Sequence, residues 1–195
     1  MKKTRQRRLI ALMTALLLIF LSGCSQQVKG LDYKVYDLTF KAAEVHDVEK
    51  GKDDFQSLTF RKKGEDVPYT YQYQIYGTKI EDIQEKLGDK LAEGQTVNDY
   101  YLNNAEYIDR VVQGFSKGST EPENLKKGTV KIGDKIDALD LTWDANLYDD
   151  QPYKFRCIRF YDEDSEYVVN AYWKESCPTD EVKLLDDIIA SMKLS

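Results

Sequence analysis

Apolar and polar residues alternate along several stretches of this chain, and the alternation predicts β-strands. In Ala138–Leu147 the odd-numbered positions carry Leu, Leu, Trp, Ala and Leu, and in Tyr69–Ile75 they carry three Tyr and one Ile. A period of two places such residues on one face of a pleated strand. We therefore expect two half-buried strands, with the tyrosines in the core rather than on a sugar-binding surface.

Further strand-like runs occur in pairs around turn residues, which predicts antiparallel hairpins. Asp32–Phe40 is predicted as a single first strand without a partner of this kind. Three hairpins are predicted after it: Phe55–Arg61 with Val67–Tyr76, Thr129–Ile132 with the stretch from Lys135, and Tyr153–Tyr161 with Glu166–Trp173. In the last hairpin we expect Ile158 beside Val169 and Phe160 beside Tyr167. The charged stretch Ala42–Asp54 is expected to be loop or a short helical turn, and Gly114–Gly128 a polar loop.

Helices are predicted after three capping signals. Thr78 with Glu81 and Thr96 with Asp99 have the spacing of capping boxes, and Pro178 precedes two acids and an apolar stripe. The order of elements is three strands, two helices, four strands and one helix. It predicts an α+β domain, with a mostly antiparallel sheet of about six to seven strands covered by two or three helices.

The first residues have the organisation of an export signal. A basic start without acids precedes the apolar run Leu9–Leu21, whose 13 positions are fewer than the roughly 20 that span a bilayer. Leu21-Ser22-Gly23-Cys24 follows, and this stretch resembles the lipobox of bacterial lipoproteins. The resemblance implies that the Cys24 thiol receives a diacylglyceryl group through a thioether bond. The chain is then cleaved on the N-terminal side of Cys24, and the new amino group is open to acylation such as palmitoylation.

The lipobox divides the chain into three parts. Residues 1–23 are the predicted signal peptide, 24–31 a lipidated tether, and 32–195 a single globular domain. We expect the domain to be monomeric and to face outward from a cell membrane that it contacts through acylated Cys24. The signal contains five basic residues and no acid, so its removal takes the net charge from −6 to −11. This acidity argues against a nucleic-acid partner.

Two cysteines remain in the mature chain, and outside the cytoplasm such a pair is open to oxidation. Cys157 and Cys177 are therefore candidates for a disulfide, with two buried thiols as the alternative. The expected hairpin places Cys157 opposite Asn170, so a bond would require the segment after Lys174 to fold back.

Motifs of catalysis are missing from the sequence, which has no GxSxG, HExxH, P-loop or GxGxxG. His46 is the only histidine and lies in a charged stretch, which predicts a solvated loop residue. Alternating acids at Asp162, Asp164 and Glu166 are candidates for calcium binding, with a solvated turn as the commoner alternative. No cofactor is expected.

The last quarter of the chain is similar to the PsbP-like α/β/α sandwich, the fold of the photosystem II extrinsic subunit. The similarity rests on the hairpin Tyr153–Trp173 and on a terminal helix that ends Ile188-Ile189-Ala190-Ser191-Met192-Lys193. It implies a non-catalytic accessory role. We therefore expect a lipoprotein that binds an unidentified envelope protein or ligand, with a surface hydrolase using paired carboxylates or a small-ligand or calcium sensor as alternatives.

Overall fold

The computed structural model describes residues 30–51, 56–80 and 82–195. The predicted signal peptide, Cys24 and most of the tether lie outside the described residues. So do Phe55 and Glu81. Where the predicted domain begins therefore stays a prediction.

A seven-stranded antiparallel sheet is the centre of the domain, with the strand order β3-β4-β5-β9-β8-β7-β6. These strands are β3 His46–Lys50, β4 Gln56–Lys62, β5 Tyr71–Lys79, β6 Glu123–Ile132, β7 Ile136–Leu147, β8 Gln151–Tyr161 and β9 Ser165–Lys174. The described helices are α1 Ile83–Leu87, α2 Val97–Leu102, α3 Ala105–Phe115 and α4 Thr179–Ser191, with a 3₁₀ turn at Gly88–Lys90. The predicted α+β class and its antiparallel sheet are confirmed.

A second, three-stranded sheet joins the two ends of the described chain. It consists of β1 Leu31–Val35, β2 Leu38–Ala42 and β10 Lys193–Leu194, in the order β1-β2-β10. The prediction of one strand over Asp32–Phe40 was wrong, because Tyr36 takes a φ of 48° and turns the chain back. The Tyr36 ring then lies against Gly77, where a Cβ would stand 2.7 Å from the ring. A glycine in β5 is therefore needed for the small sheet to dock.

The last two hairpin strands have the predicted register. Ile158 pairs with Val169, Phe160 with Tyr167, and Cys157 with Asn170. The hairpin of β4 and β5 is also confirmed, although its loop is longer than the predicted turn. The predicted loops at residues 42–54 and 114–128 were wrong in part, since β3 and the start of β6 lie there. Both are edge strands, and an edge strand with solvent around it shows little apolar alternation.

The two faces of the large sheet are covered by different elements. On the first, which we call the α4 face, α4 and the small sheet bury residues such as Phe60, Tyr73 and Leu185. On the second, the three-helix face, α2 and α3 pack over Trp143 and Phe155, while α1 covers Tyr161. Of the three predicted core tyrosines, Tyr71 and Tyr73 are buried on the α4 face. Tyr69 is only partly buried and precedes β5, so the prediction was wrong for that residue.

Local signals explain where the helices begin. The capping box predicted at Thr96 is present. The Thr96 side chain accepts a hydrogen bond from the backbone N–H of Asp99, and the Asp99 side chain accepts one from the backbone N–H of Thr96. The helix start predicted at Thr78 was wrong, because Thr78 pairs with Glu166 at the end of β5. The helix predicted to start at Thr96 ends at Leu102, since Asn104 caps a new helix through its side chain.

Across the described ranges, no helix is both long and apolar enough to cross a membrane.

Candidate functional site

An open cleft of about 510 Å³ lies on the three-helix face, between α1 and α3. We call it the Glu166 cleft. Its apolar walls come from Ile80, Ile83, Leu87 and Val111, and its remaining lining residues are Lys86, Tyr101, Tyr107, Arg110, Arg159, Tyr161 and Glu166. The cleft exists because α1 is a single short turn of helix and does not reach α3. The ends of β8 and β9 are therefore accessible between them.

The floor of the cleft is a hydrogen-bonded cluster around one carboxylate. Glu166 Oε1 accepts hydrogen bonds from Arg159 Nη1 at 2.7 Å, Tyr161 OH at 2.9 Å and Tyr107 OH at 3.2 Å. The hydroxyls of Tyr107 and Tyr161 are themselves 2.7 Å apart. Strand register makes this possible, since Tyr161 is directly opposite Glu166 and Arg159 lies two residues earlier on the same face. Only Tyr107 is contributed from outside the sheet, by α3.

Aromatic stacking holds the cluster in place. Tyr101 of α2 stacks on Tyr161 with ring centroids 4.7 Å apart, and it contacts Tyr107 at 4.3 Å. The Arg159 guanidinium lies 5.9 Å from the Tyr107 ring centroid. Contacts of this kind each contribute about 0.5–1.5 kcal/mol beyond burial. The floor is therefore held by contacts among four elements, α2, α3, β8 and β9.

The protonation states of the floor are fixed near neutral pH. Burial raises the pKa of Tyr107 and that of Tyr161, so both remain neutral hydroxyls. Burial alone would lower the pKa of Arg159, but the pKa lies above its ordinary value, and the Glu166 carboxylate is a neighbour that raises it. Arg159 therefore stays cationic and forms an ion pair with Glu166, in which each side chain keeps less than a fifth of its surface exposed.

The three predicted calcium candidates are not brought together. Asp162 and Asp164 approach Asp37 of the β1–β2 turn, with ligand atoms within 4.8 Å of one another, whereas Glu166 belongs to the cleft floor. Lys79 Nζ binds both oxygens of Asp164 at 2.8 and 2.9 Å and lies 3.9 Å from Asp37. A lysine thus already supplies the positive charge that this cluster of acids attracts.

The candidate disulfide between Cys157 and Cys177 is not formed, and both cysteines are free thiols. Cys157 is fully buried on the three-helix face, whereas Cys177 packs against the core of the α4 face. The thickness of the sheet separates them. Burial raises the pKa of each thiol to about 11, so neither is an activated nucleophile.

His46 is buried, not a solvated loop residue as predicted. Its Nδ1 lies 2.9 Å from Tyr71 OH, and its ring is edge-on to Phe60, Tyr71 and Tyr73. Burial lowers its pKa from 6.5 to about 4. His46 belongs to the α4 face and takes no part in the cleft.

A second hollow of about 240 Å³ lies where β7 and β8 meet the start of β6. Three acids line it, and one lysine contacts two of them, since Lys154 Nζ is 3.1 Å from Asp144 and 3.8 Å from Glu175. The Glu166 cleft contains a single carboxylate among its lining residues. The two facing carboxylates of the hydrolase alternative are therefore not supplied by that cleft.

Sequence reasoning missed three residues of the cleft floor: Tyr107, Arg159 and Tyr161. One signal was present, because Arg159 is one of two arginines in the otherwise largely apolar run Phe155–Tyr161. A charge in the middle of a buried strand indicates an ion pair with a neighbouring strand. Nothing in the sequence indicates that Tyr107 of a separate helix joins the pair.

Comparison with known proteins gives the fold. No protein-family model matches the chain, and no similar curated protein is found. The solution structure of cyanobacterial PsbP (CyanoP) from Synechocystis is similar, with a TM-score of 0.54 and 14% identity over 90% of this chain and 99% of that one. A crystal structure from Bacteroides thetaiotaomicron has a TM-score of 0.49 and 12% identity over 86% of this chain. This chain spans 49% of the length of that Bacteroides protein.

The fold is therefore PsbP-like, as the terminal hairpin and helix suggested. At such identities the similarity concerns the fold alone, because one fold serves many functions.

Proposed function

We propose that this protein is a non-catalytic accessory module, anchored through acylated Cys24 to the outer side of a bacterial membrane, and that its Glu166 cleft binds a segment of an envelope partner. The observation that carries the proposal is the chemistry of the cleft floor. Tyr107 and Tyr161 keep their protons and Arg159 keeps its charge around neutral pH. These groups donate hydrogen bonds well but transfer protons poorly, which suits binding rather than acid–base catalysis.

The fold supports an accessory role. The solved CyanoP structure has a similar fold, with a TM-score of 0.54. Accessory, non-enzymatic action is what we expect of PsbP-like proteins, and the cleft gives this chain a place for such a contact.

The anchor is proposed from the sequence. A basic start, a 13-residue apolar run and Leu21-Ser22-Gly23-Cys24 stand in the order that bacterial lipoproteins use. Two or three acyl chains would hold the domain stably, since each buried methylene contributes about 0.8 kcal/mol.

Site-specific photo-cross-linking in cells tests the binding site. A benzophenone amino acid at Ile80 places the reactive group at the cleft wall, and the same group at the exposed Lys183 of α4 is the matched control on the other face. We expect a reproducible adduct from Ile80 that Lys183 does not give. Failure to form an adduct at Ile80, or the same adduct from both positions, would overturn the cleft as the binding site.

Labelling with radioactive palmitate tests the anchor separately. The wild-type protein should take up label and sediment with membranes, and Cys24→Ser should do neither. Membrane association of Cys24→Ser together with unlabelled wild type would contradict lipidation at this residue.

A further inference from the structure

We propose that the segment received by the Glu166 cleft is an acidic peptide with apolar side chains; this inference rests on the proposed function and adds the chemistry of its ligand. The starting observation is an imbalance of charge. The lining residues include three cations, Lys86, Arg110 and Arg159, but only one acid, Glu166. The whole chain has the opposite balance, with 34 acidic and 28 basic residues.

The excess positive charge lies at the rim of the cleft. Glu166 and Arg159 neutralise each other at the floor through their contact of 2.7 Å. Lys86 is exposed on α1, and Arg110 on α3 keeps 65% of its side chain exposed. Arg110 has only a loose contact of 3.9 Å with Glu106 of its own helix. Both cations are therefore available to a carboxylate that arrives from outside.

The floor also has unused donors. Arg159 Nη1 donates hydrogen bonds to Glu166 and to the Tyr107 hydroxyl. Its Nε is buried without a hydrogen-bond partner. A guanidinium has five N–H donors in a planar fork, which suits carboxylates. An acidic side chain reaching the floor would meet this guanidinium, whereas the Tyr161 hydroxyl already donates to Glu166.

The walls specify the rest of the ligand. Ile83, Leu87 and Val111 are buried residues whose outer edges form the cleft walls, together with the half-buried Ile80. Apolar surface of this kind binds apolar side chains at about 25 cal/mol per Å² of area removed from water. An extended segment that alternates acids and aliphatic residues would meet cations at the rim and apolar walls below them.

A membrane surface is the other anionic, partly apolar body within reach of an anchored protein. Overall charge disfavours it as the occupant, because the mature chain has a net charge of −11 once the basic signal is removed. An acidic protein gains no general attraction to anionic lipid. A peptide needs to meet only the local positive charge of the cleft rim.

Fluorescence anisotropy with defined peptides tests this chemistry. The probe is a labelled seven-residue peptide alternating Glu and Leu, and the comparison peptides carry Gln or Lys in place of Glu. The full-length protein is used in nanodiscs of zwitterionic lipid. We expect saturable binding of the Glu peptide, weakened by salt as surface charges are screened, with the Gln peptide weaker and the Lys peptide weakest.

Charge reversal locates the binding site. Lys86→Glu/Arg110→Glu should weaken the Glu peptide about tenfold, because two rim contacts become repulsive. Lys183→Glu on α4 adds a similar negative charge on the other face and should change the affinity less than about twofold. Equal losses from both variants, or equal binding of the Glu and Lys peptides, would overturn the inference.

Two further outcomes are informative. Nanodiscs with anionic lipid that displace the Glu peptide in the wild type but not in the charge-reversed protein would show that lipid headgroups occupy the cleft, against the peptide proposal. A cross-link from Ile80 that persists although the Glu peptide does not bind would leave the proposed function standing and remove only the acidic peptide.

Discussion

The two faces of the large sheet are covered in different ways. On the α4 face one helix of 13 residues and the small sheet bury a continuous apolar cluster. On the three-helix face the cover consists of helices of five, six and 11 residues, interrupted at the Gly88–Lys90 turn and at Asn103–Asn104. The second cover leaves a gap where α1 stops short of α3, and the Glu166 cleft is that gap.

The difference shows how a polar group becomes part of a binding site. The lid formed by α4 covers mostly apolar residues, and the polar groups beneath it have partners: Arg156 pairs with Asp140 and with Asp186 of α4. Beneath a broken lid, water reaches the sheet at one point, and Arg159 with Glu166 is tolerated because the two are paired. The broken cover thus gives access to a polar pair on a face that is otherwise core.

The largest expected effect is on the free energy of unfolding, and it should differ between the two covers. Leu185 lies on the α4 face with 1% of its surface exposed. Leu185→Ala should lower the free energy of unfolding by about 3–4 kcal/mol, because the cavity left by the side chain cannot collapse. Leu87→Ala on α1 should lower it by only about 1–2 kcal/mol, because the cleft wall can relax and admit water. Urea unfolding with unchanged slopes measures both, and equal losses would contradict the contrast.

The buried histidine of the α4 face predicts a pH dependence. The pKa of His46 is about 4 in the folded protein against 6.5 as its ordinary value. The unfolded chain therefore binds a proton between these values that the folded chain does not, and stability falls as the pH drops from 6.5 towards 4. The loss should reach up to about 3 kcal/mol at low pH.

A difference experiment isolates His46 from the carboxylates that titrate in the same range. Unfolding free energies of the wild type and of His46→Gln are measured from pH 7.5 to 4, and the difference between the two curves should change over that window. Parallel curves would mean that His46 is accessible to protons in the folded state.

The ion pair at the cleft floor should contribute less than a core leucine. Glu166→Gln should lower the free energy of unfolding by about 2 kcal/mol, since it leaves Arg159 with a poorer partner in a partly buried site. Glu106→Gln removes the exposed partner of Arg110 and should leave the unfolding midpoint within error. Replacing both Arg159 and Glu166 by Leu should recover part of the loss. A Glu166→Gln variant as stable as wild type would show that the pair is solvated.

The smallest effect concerns the cover of the cleft. Thr96→Ala removes the hydroxyl that accepts from Asp99 N at 3.1 Å and should destabilise α2 by about 1 kcal/mol. Thr96→Ser retains the hydroxyl and should remain close to wild type. Amide exchange within Val97–Leu102 reports the change, and faster exchange in α4 instead would mean that the two covers are coupled.

Sequence reasoning succeeded where the interactions are local. The pairing of Ile158 with Val169 follows from a short turn and an alternating pattern, and the Thr96 capping box is contained in four residues. It failed for Tyr36, whose turn conformation has no glycine to indicate it. It failed for His46 because the charged residues beside it conceal an edge strand that pairs with β4.

The candidate site was predictable only in part. Once the hairpin register is known, Arg159, Tyr161 and Glu166 must lie on one face of the sheet. The arrival of Tyr107 depends on how α3 docks, and that is decided by packing over Trp143 and Phe155 from distant strands. Helix docking of this kind leaves no signature in the residues that it brings together.

The small sheet also constrains when the domain can finish folding. Thr39 in β2 donates its hydroxyl hydrogen bond to the carbonyl of Lys193, a contact across 154 residues, and β10 completes the sheet. Closing so long a loop lowers the chain entropy before any stabilising contact has formed, so such contacts form late in folding. The hairpin β1–β2, next to the proposed attachment point, must therefore wait for the end of α4 before its second edge is paired. The β1–β2 end of the domain would therefore remain incompletely assembled until β10 is in place.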